Sequence, residues 1–291
     1  MIVTRLRGGL GNQLFQYAAG FRLATRHGAA LRLDLTKFAD FSHTTPRSYE
    51  LGVFALSGAP ATKREIAAVT GESRGWLWRR LAPRDPSIPT QAATEQHFHF
   101  DPDVLALPDG VLLDGYWQSE RYFEDVSERL RQELAFRDPP AGRNAEMAAT
   151  LAGANAVSLH VRRGDYATNP TMTAMHGMCP IDYYERAVRF VADRVRDPVF
   201  FLFSDDPDWV RDHLKIREAM VVVDHNGPDA GHEDLRLMSG CRHHILANST
   251  FSWWGAWLDP RPEKIVVAPR RWFAVDTIDT TDLLPDGWIR L

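Results

Sequence analysis

The run Val157-Ser158-Leu159-His160-Val161-Arg162-Arg163-Gly164-Asp165-Tyr166 decides the fold of the second half of the chain. Apolar residues alternate over positions 157–161, which predicts a strand that ends where the two arginines begin. Two adjacent guanidiniums carry permanent charges and cannot be buried unpaired. Because α/β folds bind ligands at the carboxyl ends of their strands, Arg162 and Arg163 predict a site for an anion such as a diphosphate. The alternative is a salt bridge with Asp165 that closes the turn.

The rest of the second half alternates predicted strands with predicted helices. Further strands are predicted at residues 199–203, 220–223, 244–247 and 264–268. Helices are predicted at residues 182–195, 208–214, 233–241 and 251–258. This alternation predicts a mostly parallel sheet covered by helices, which is a Rossmann-like domain.

The first half begins in the same way and then becomes irregular. Its predicted elements are a strand at 2–6, a helix at 12–26, a strand at 31–35, a strand at 111–114 and a helix at 119–134. Only short helices can be placed between residues 36 and 110, and residues 138–142 have the composition of a linker. We therefore predict an α/β protein with two Rossmann-like domains, residues 1–140 and 141–291, that face each other across a cleft. The C-terminal tail is a candidate to pack back on the N-terminal domain.

Composition restricts the classes of function. A length of 291 residues exceeds one ordinary core, and 44% hydrophobic with 25% charged residues is typical of a soluble globular protein. The net charge of −4 argues against a nucleic-acid partner. Cys179 and Cys241 form no disulfide framework or metal spacing, and the first residues lack a signal-peptide pattern. We expect a cytoplasmic protein. Residues 75–81 are rich in Trp, Leu and Arg, so a weak contact of this segment with the inner-membrane surface is an open alternative.

Two further segments place polar groups at predicted helix starts. Gly9 and Asn12 belong to a glycine-rich turn that allows a ligand to approach the backbone, although the turn could simply pack helix on strand. Ser249, Thr250 and Ser252 surround the start of the helix predicted at 251–258. Hydroxyls and backbone N–H groups there could cradle a phosphate, and N-capping is the alternative.

Carboxylates and aromatic residues supply the remaining candidates. Asp205 follows a predicted strand and is a candidate hydrogen-bond acceptor for a ligand, whereas Asp206 before Pro207 is equally suited to cap a helix. Asp234, in an acidic first helical turn, either complements the helix dipole or accepts from a base such as guanine. Residues 114–120 mix aromatic and polar side chains in a way that suits a sugar or a buried turn.

Three segments of the chain together resemble the bacterial branch of the galactoside α-1,2-fucosyltransferase family. They are residues 8–17, 160–166 and 248–257. Residues 115–120, 203–206 and 234–239 resemble further blocks of that family in the same order. The resemblance implies a GT-B fold, with GDP held by the C-terminal domain and the acceptor by the N-terminal domain. It also implies transfer of L-fucose from GDP-β-L-fucose to the 2-hydroxyl of a terminal galactose in a glycan, with inversion and without a metal or other cofactor, as in O-antigen or cell-surface glycan synthesis.

The resemblance also implies roles for single residues. The implied nucleotide-sugar contacts are His160, Arg162, Arg163, Asp205, Asp234, Ser249, Thr250, Ser252, Gly9 and Asn12. The implied catalytic set is Arg162, Arg163, Asp165 and Asn12. Related α-1,6 enzymes carry a glutamate shortly after the arginine pair, and residues 168–170 offer none. The general base is therefore unassigned, with Asp114, Glu120 and Asp165 as candidates. Two alternatives are a GT-B transferase for another nucleotide sugar or acceptor and a non-catalytic nucleotide-sugar-binding homologue.

Overall fold

The computed structural model describes residues 1–39, 47–71 and 92–291, so the tryptophan-rich segment 75–81 lies outside the described residues. The chain divides into two compact units. Unit 1 comprises Met1–Arg137 and Thr281–Leu283, and unit 2 comprises Asp138–Thr280 and Leu284–Leu291. Each unit contains one sheet, and all pairings between the strands named below are parallel.

Unit 1 is built around a sheet whose described strands are short. The strands are β1 (Ile2–Arg5), β2 (Leu31–Asp34), β3 (Ala59–Pro60), β4 (Ala92–Thr94) and β5 (Leu112–Asp114). The α-helices are α1 (Leu10–His27), α2 (Lys63–Thr70) and α3 (Ser127–Glu133). Single 3₁₀ turns occupy Thr36–Ala39, Leu51–Val53, Pro102–Ala106, Glu120–Tyr122 and Glu124–Val126. The strand order β3-β2-β1-β5-β4 reverses between β1 and β5, which makes the carboxyl ends of these two strands the switch point of the sheet.

Unit 2 contains the longer sheet. Its strands are β6 (Asn155–Val161), β7 (Pro198–Ser204), β8 (Ala219–Val223), β9 (His243–Ile245), β10 (Val266–Ala268) and β11 (Ile289–Arg290). Its helices are α4 (Gly142–Ala152), α5 (Gly164–Thr168), α6 (Pro170–His176), α7 (Ile181–Ala192), α8 (Pro207–His213), α9 (Gly231–Gly240) and α10 (Thr250–Leu258), with a 3₁₀ turn at Pro228–Ala230. The strand order is β11-β10-β9-β6-β7-β8. Counted from β6 this is the 3-2-1-4-5-6 order of a Rossmann fold, with its switch point between β6 and β9.

Helices cover both faces of the unit 2 sheet. On one face Val157 and Leu159 pack with Tyr183 and Val188 of α7, and all four side chains are buried. On the other face the buried core includes Phe201 and Phe203 together with Leu237 and Met238 of α9. Burial on both sides explains why β7 is an almost continuous apolar run and not an alternating one.

The predicted strands and helices of the second half are confirmed, but the helix predicted at 119–134 is wrong. That segment forms two 3₁₀ turns and then α3, because the fully buried Phe123 adopts φ −149° and ψ 10°, outside the helical region. Ser119 reinforces the break, since its side chain accepts from the backbone N–H of Arg121. Helices α4, α5 and α6 were not predicted. Among the described residues, no helix is both long and apolar enough to cross a membrane.

Candidate active site

The arginine pair and the hydroxyl-rich helix start are brought to the same edge of the unit 2 sheet. Arg162 follows the last residue of β6, and the segment that leads into α10 follows β9. β6 and β9 are neighbours, with Leu159 opposite Ile245 in the register. Because parallel strands end at the same edge, both elements lie at the switch point, where doubly wound folds bind their ligands.

Arg162 is held by two carboxylates. Its Nη2 lies 2.5 Å from Asp165 Oδ1 and its Nη1 lies 2.7 Å from Asp205 Oδ2. Burial opposes the charge of Arg162, but Asp205 and Asp165 outweigh it and raise the guanidinium pKa above its usual value. The Arg162–Asp165 salt bridge, left open as an alternative by the sequence, is therefore present, and it orients the guanidinium. The pair also brings Arg162 to 5.3 Å from the centre of the Tyr166 ring.

Arg163 is fixed by a different set of contacts. Its Nε donates to Asp206 Oδ2 at 3.0 Å, and its guanidinium stacks 4.0 Å from the centre of the Trp209 ring. Nη1 lies 3.9 Å from Met178 Sδ. Nη2 makes no hydrogen bond to the described residues, so it is a donor available to a ligand. Trp209 was not singled out from the sequence, because it lies in the helix that follows the neighbouring strand β7, about 45 residues along the chain from Arg163.

Asp205 ties the two arginines together. Besides its ion pair with Arg162, its Oδ1 accepts the backbone N–H of Arg163 at 2.8 Å. A Cβ on Gly164 would come within 2.4 Å of Asp205 Oδ2, so this approach requires glycine at position 164. Both oxygens of Asp205 are engaged inside the protein. The structure thus makes Asp205 a residue that positions the arginine pair. Each carboxylate oxygen keeps a second lone pair, so the implied contact with guanosine stays a prediction.

Asp206 has the capping role that the sequence offered as one of two interpretations. Its Oδ1 accepts the N–H of Trp209 at 3.2 Å at the start of α8, and Pro207 occupies the first turn. Since Asp206 Oδ2 also pairs with Arg163, helix α8 and the arginine are anchored to one carboxylate.

His160 lies beneath the start of α10 as a neutral imidazole. His160 is 5% exposed, and burial together with the neighbouring Arg162 charge lowers its pKa to about 3. The ring centre lies 5.5 Å from that of Phe251, and Nδ1 has no hydrogen-bond partner among the described residues. His160 thus lies at the candidate site as the sequence predicts, in an uncharged form.

The start of α10 is capped by a serine. The Ser249 hydroxyl accepts the N–H of Phe251 at 3.3 Å, and Thr250 is the half-buried first residue of the helix. Ser252 differs from the expectation. It is fully buried and donates its hydroxyl to the carbonyls of Ala247 and Ser249, so we correct its predicted role as a phosphate donor. The tryptophans that follow belong to the core of unit 2.

Asn248 clamps the loops beside this helix start. The residue is 2% exposed, and its Nδ2 donates to the carbonyls of His176, Gly177 and Trp272 at 2.9, 3.4 and 3.1 Å. Its Oδ1 accepts from Cys179 Sγ at 3.4 Å. The amide therefore fixes residues 176–179 and the segment around Trp272 at the site. The sequence did not predict this role, because the partners are distant along the chain.

Asp234 is placed in the first turn of α9. Burial raises its pKa to about 6, even though the Asn226 side chain donates to it at 2.8 Å. Asn226 in turn forms a reciprocal amide pair with Asn144. With a pKa of about 6, the Asp234 carboxyl titrates close to neutral pH. Its ionised form can accept hydrogen bonds from a ligand.

In unit 1, the glycine-rich turn and the aromatic turn meet at the switch point of the sheet. Gly8 has φ +78°, and Gly9 is the N-cap residue of α1. The Asn12 Oδ1 accepts from the Gln118 side chain at 3.0 Å. Asp114 pairs with Arg5 at 2.5 Å and with Arg7 at 3.3 Å.

Two of the three candidate bases therefore hold arginines. Asp165 pairs with Arg162 and Asp114 pairs with arginines of the first sheet. Glu120 begins the 3₁₀ turn Glu120–Tyr122. In the described parts of the chain, no group of three or more His, Cys, Asp and Glu side chains could hold a metal ion.

A buried Ser-His-Asp arrangement connects the same sheet to the end of α10. Ser158 Oγ lies 2.8 Å from His244 Nδ1, and His244 Nε2 lies 3.1 Å from Asp259 Oδ2. All three residues are fully buried, and burial lowers the His244 pKa to about 4. Because no substrate can reach a fully buried hydroxyl, this arrangement braces β6, β9 and the end of α10 and has no hydrolytic role.

Comparison with known proteins identifies the class of this fold and site. The model for glycosyl transferase family 11 matches residues 101–291, and the chain belongs to that family. It is therefore a glycosyltransferase, as the resemblance of its sequence blocks predicted.

Individual relatives match between 86% and 100% of the chain. It is 31% identical to an alpha-1,2-colitosyltransferase of Escherichia coli, over 100% of this chain and 99% of the relative. It is 33% identical to the O-antigen biosynthesis glycosyltransferase WbnK of Escherichia coli, over 98% and 99% of the two chains. Galactoside alpha-(1,2)-fucosyltransferase 1 of Rattus norvegicus is 26% identical over 86% of this chain and 61% of that protein.

Solved fucosyltransferase structures share the fold. NodZ from Bradyrhizobium matches with a TM-score of 0.52 at 15% identity, covering 89% of this chain and 93% of that chain. A mutant of Arabidopsis thaliana FUT1 in complex with GDP matches with a TM-score of 0.53 at 12% identity, covering 89% and 68%. These likenesses confirm the predicted GT-B-like α/β fold class with two parallel sheets.

Proposed function

We propose that the protein transfers L-fucose from GDP-β-L-fucose to the 2-hydroxyl of a terminal galactose in a glycan. The product is an α-1,2 linkage formed with inversion and without a metal ion. The observation that carries this proposal is the Arg162–Arg163 pair, oriented by three aspartates at the switch point of a Rossmann-fold unit in a family 11 chain. Relatives named as α-1,2-transferases of colitose and fucose support the linkage.

The donor side of the reaction requires stabilisation of a departing pyrophosphate. As the bond between the sugar and the β-phosphate breaks, negative charge grows on the phosphate oxygens. Donors that are already oriented stabilise this charge more in the transition state than in the ground state. Arg163 Nη2 has no hydrogen-bond partner among the described residues, and the start of α10 adds the N–H groups of a helix N-terminus.

The carboxylates around the arginines keep the donors in place between turnovers. Each terminal nitrogen of Arg162 carries two protons, so it can hold its aspartate and still donate to a phosphate. Asp234 is our candidate for guanine, whose N1–H and N2–H₂ are adjacent donors that a carboxylate can accept. Asn12 and Gly9 are our candidates for contact with the fucose or its phosphate.

The acceptor must lose a proton as its oxygen attacks the sugar. This step needs a positioned carboxylate or a water relay, and Asp114, Glu120 and Asp165 are the candidates. Asp165 and Asp114 hold arginines in the described structure, which favours a relay through water over direct transfer to either of them.

A second donor is favoured by one relative. The alpha-1,2-colitosyltransferase matches this chain from end to end, and colitose differs from fucose by the absence of the 3-hydroxyl. GDP-colitose is therefore the alternative donor for the same site and the same linkage.

The test is incubation of the purified protein with GDP-fucose, GDP-colitose, a UDP-sugar and an ADP-sugar across a panel of β-galactosides, followed by linkage analysis. We expect an α-1,2-fucosylated galactoside, and an Arg163→Ala variant that binds acceptor but makes no product. Colitosylated product alone would select the second donor. GDP binding by calorimetry without turnover on any galactoside would overturn the enzymatic proposal.

A further inference from the structure

Met178 is an exposed apolar side chain in contact with an arginine of the candidate site. Among the described residues, three large apolar side chains are exposed: Met175 at 45%, Met178 at 41% and Met220 at 38%. Of these, Met178 is the one in contact with the arginine pair, since its Sδ lies 3.9 Å from Arg163 Nη1. A single exposed methionine is common on protein surfaces, so the relevant feature of Met178 is its position beside a charged donor. Covering this side chain with an apolar group of a ligand would gain free energy.

The loop that carries Met178 is fixed in place. Asn248 donates to the carbonyls of His176 and Gly177 and accepts from Cys179, so the residues on both sides of Met178 are tied to the start of α10. Gly177 has φ +66°, a conformation that glycine adopts without strain and that turns the loop at this point. Met178 is therefore presented by an anchored loop and not by a fraying end.

We infer that Met178 contacts the methyl group at carbon 6 of the donor sugar and selects 6-deoxy sugars over their 6-hydroxy analogues. The inference rests on the proposed function, which places the pyrophosphate at Arg163. A sugar joined to that pyrophosphate lies within a few bonds of the guanidinium, where the Trp209 ring covers one face of the group and the Met178 thioether is an exposed apolar neighbour. Fucose and colitose both carry a methyl group at carbon 6, so the inference holds for either donor.

The physical basis is the difference between a methyl group and a hydroxymethyl group against a thioether. A methyl group gains from burial on the methionine side chain. A 6-hydroxyl in the same place loses hydrogen bonds to water and finds only a weak acceptor in the sulfur. An apolar contact of this kind discriminates by about 10-fold or more between such substrates.

The test compares GDP-L-fucose with GDP-L-galactose, which differs from it only by the hydroxyl at carbon 6. We expect kcat/KM of the unmodified protein to favour GDP-fucose by about 10-fold or more. Met178→Gln should reduce that ratio several-fold by improving use of the 6-hydroxy donor relative to fucose. Met175→Gln is the matched control, because Met175 is as exposed as Met178 and, among the described residues, its sulfur makes no hydrogen bond to Arg163. This variant should leave the ratio unchanged.

Two outcomes would overturn the inference: an unchanged ratio in Met178→Gln, or equal loss of both donors. The inference would also be overturned if Met175→Gln changed the donor ratio as much as Met178→Gln does. If the unmodified protein turns over neither donor, the proposed function fails. The inference is then decided separately by calorimetry, which measures the ratio of the dissociation constants for GDP-fucose and GDP-L-galactose in the unmodified protein and in the two variants.

Discussion

Arg162 and Asp205 form an ion pair between the ends of neighbouring strands, with 2.7 Å between Nη1 and Oδ2. Asp205 also accepts the backbone N–H of Arg163, so one carboxylate sets the direction of both arginines. Together with Asp165 and Asp206, the cluster contains more carboxylates than guanidiniums. The arginines are therefore oriented before any ligand arrives, which is the arrangement that electrostatic catalysis requires.

Replacement of Asp205 should separate binding from catalysis. In Asp205→Asn the side-chain shape is kept but the charge that orients Arg162 is lost. We expect kcat to fall by about 10-fold or more because the donors are less well positioned. The dissociation constant for GDP should stay the same or decrease, because a negative charge has been removed from an anion site. Kinetics and calorimetry test this pair of outcomes, and weaker GDP binding with normal kcat would instead support Asp205 as a nucleotide contact.

Gly164 should be as sensitive as Asp205 although it has no side chain. The Cβ of Gly164→Ala would lie 2.4 Å from Asp205 Oδ2 and would displace the carboxylate. We expect a loss of kcat similar to that of Asp205→Asn. A Gly164→Ala/Asp205→Ala double variant should lose far less than the sum of the losses in Gly164→Ala and in Asp205→Ala alone.

The control for Gly164 is Gly231→Ala. Gly231 has helical dihedral angles and open space where its Cβ would lie. Activity should be unchanged, and the free energy of unfolding should increase by about 0.4–1 kcal/mol. Additive losses in the double variant would contradict the coupling of Gly164 to Asp205.

Arg163→Lys keeps the charge and removes the planar group that stacks on Trp209 and donates to Asp206. We expect kcat to fall by about 10²–10³, the loss typical of one transition-state donor. Arg186→Lys is the control, because Arg186 forms an exposed ion pair within α7 and should leave turnover unchanged. Turnover of Arg163→Lys at the level of the unmodified protein would refute its role.

Ser158→Ala tests the buried bridge between β6 and β9. It removes the hydroxyl beside His244 Nδ1 and leaves a buried ring nitrogen without a partner. The free energy of unfolding, measured with urea, should fall by about 1–3 kcal/mol. In the control Ser239→Ala, the lost hydrogen bond is local to α9 and partly exposed, so the decrease should stay below about 0.5 kcal/mol. Equal effects would show that the bridge contributes no more than a local bond.

Asp234 should make stability depend on pH. Its pKa of about 6 in the folded protein lies above the ordinary aspartate value of 3.8, so the folded state binds the proton more tightly than the unfolded state does. The resulting stabilisation is present at acidic pH and is lost as pH rises through about 6.

In Asp234→Asn this loss disappears. Between pH 4 and pH 7 the variant should therefore gain about 2–3 kcal/mol relative to the unmodified protein. Urea unfolding across this range measures the difference, and parallel curves for the two proteins would contradict the raised pKa.

The sequence was sufficient for features that depend on local pattern. The alternation before Arg162 predicted β6, and the rule that ligands bind at strand ends predicted where the arginines would lie. Helix α10 and its serine cap were likewise visible, because capping depends on residues next to each other in the chain.

Features that depend on distant partners were not predicted. The sequence offered Asp165 as a partner for Arg162, but Asp205 comes from another strand and was assigned to the ligand instead. Helix α4 was missed because Leu151 is its one buried residue, so no apolar stripe marks it. The helix predicted at 119–134 has such a stripe, yet the packing of Phe123 interrupts it.

The buried amide of Asn248 affects how the protein can be produced. Asn248-Ser249-Thr250 is an acceptor sequence for N-linked glycosylation, and the glycan would attach to the same Nδ2 that donates to three carbonyls. A eukaryotic secretory host that modified the nascent chain would therefore remove this clamp before folding. Bacterial cytosolic expression, or an Asn248→Gln variant as a diagnostic in yeast, avoids that modification.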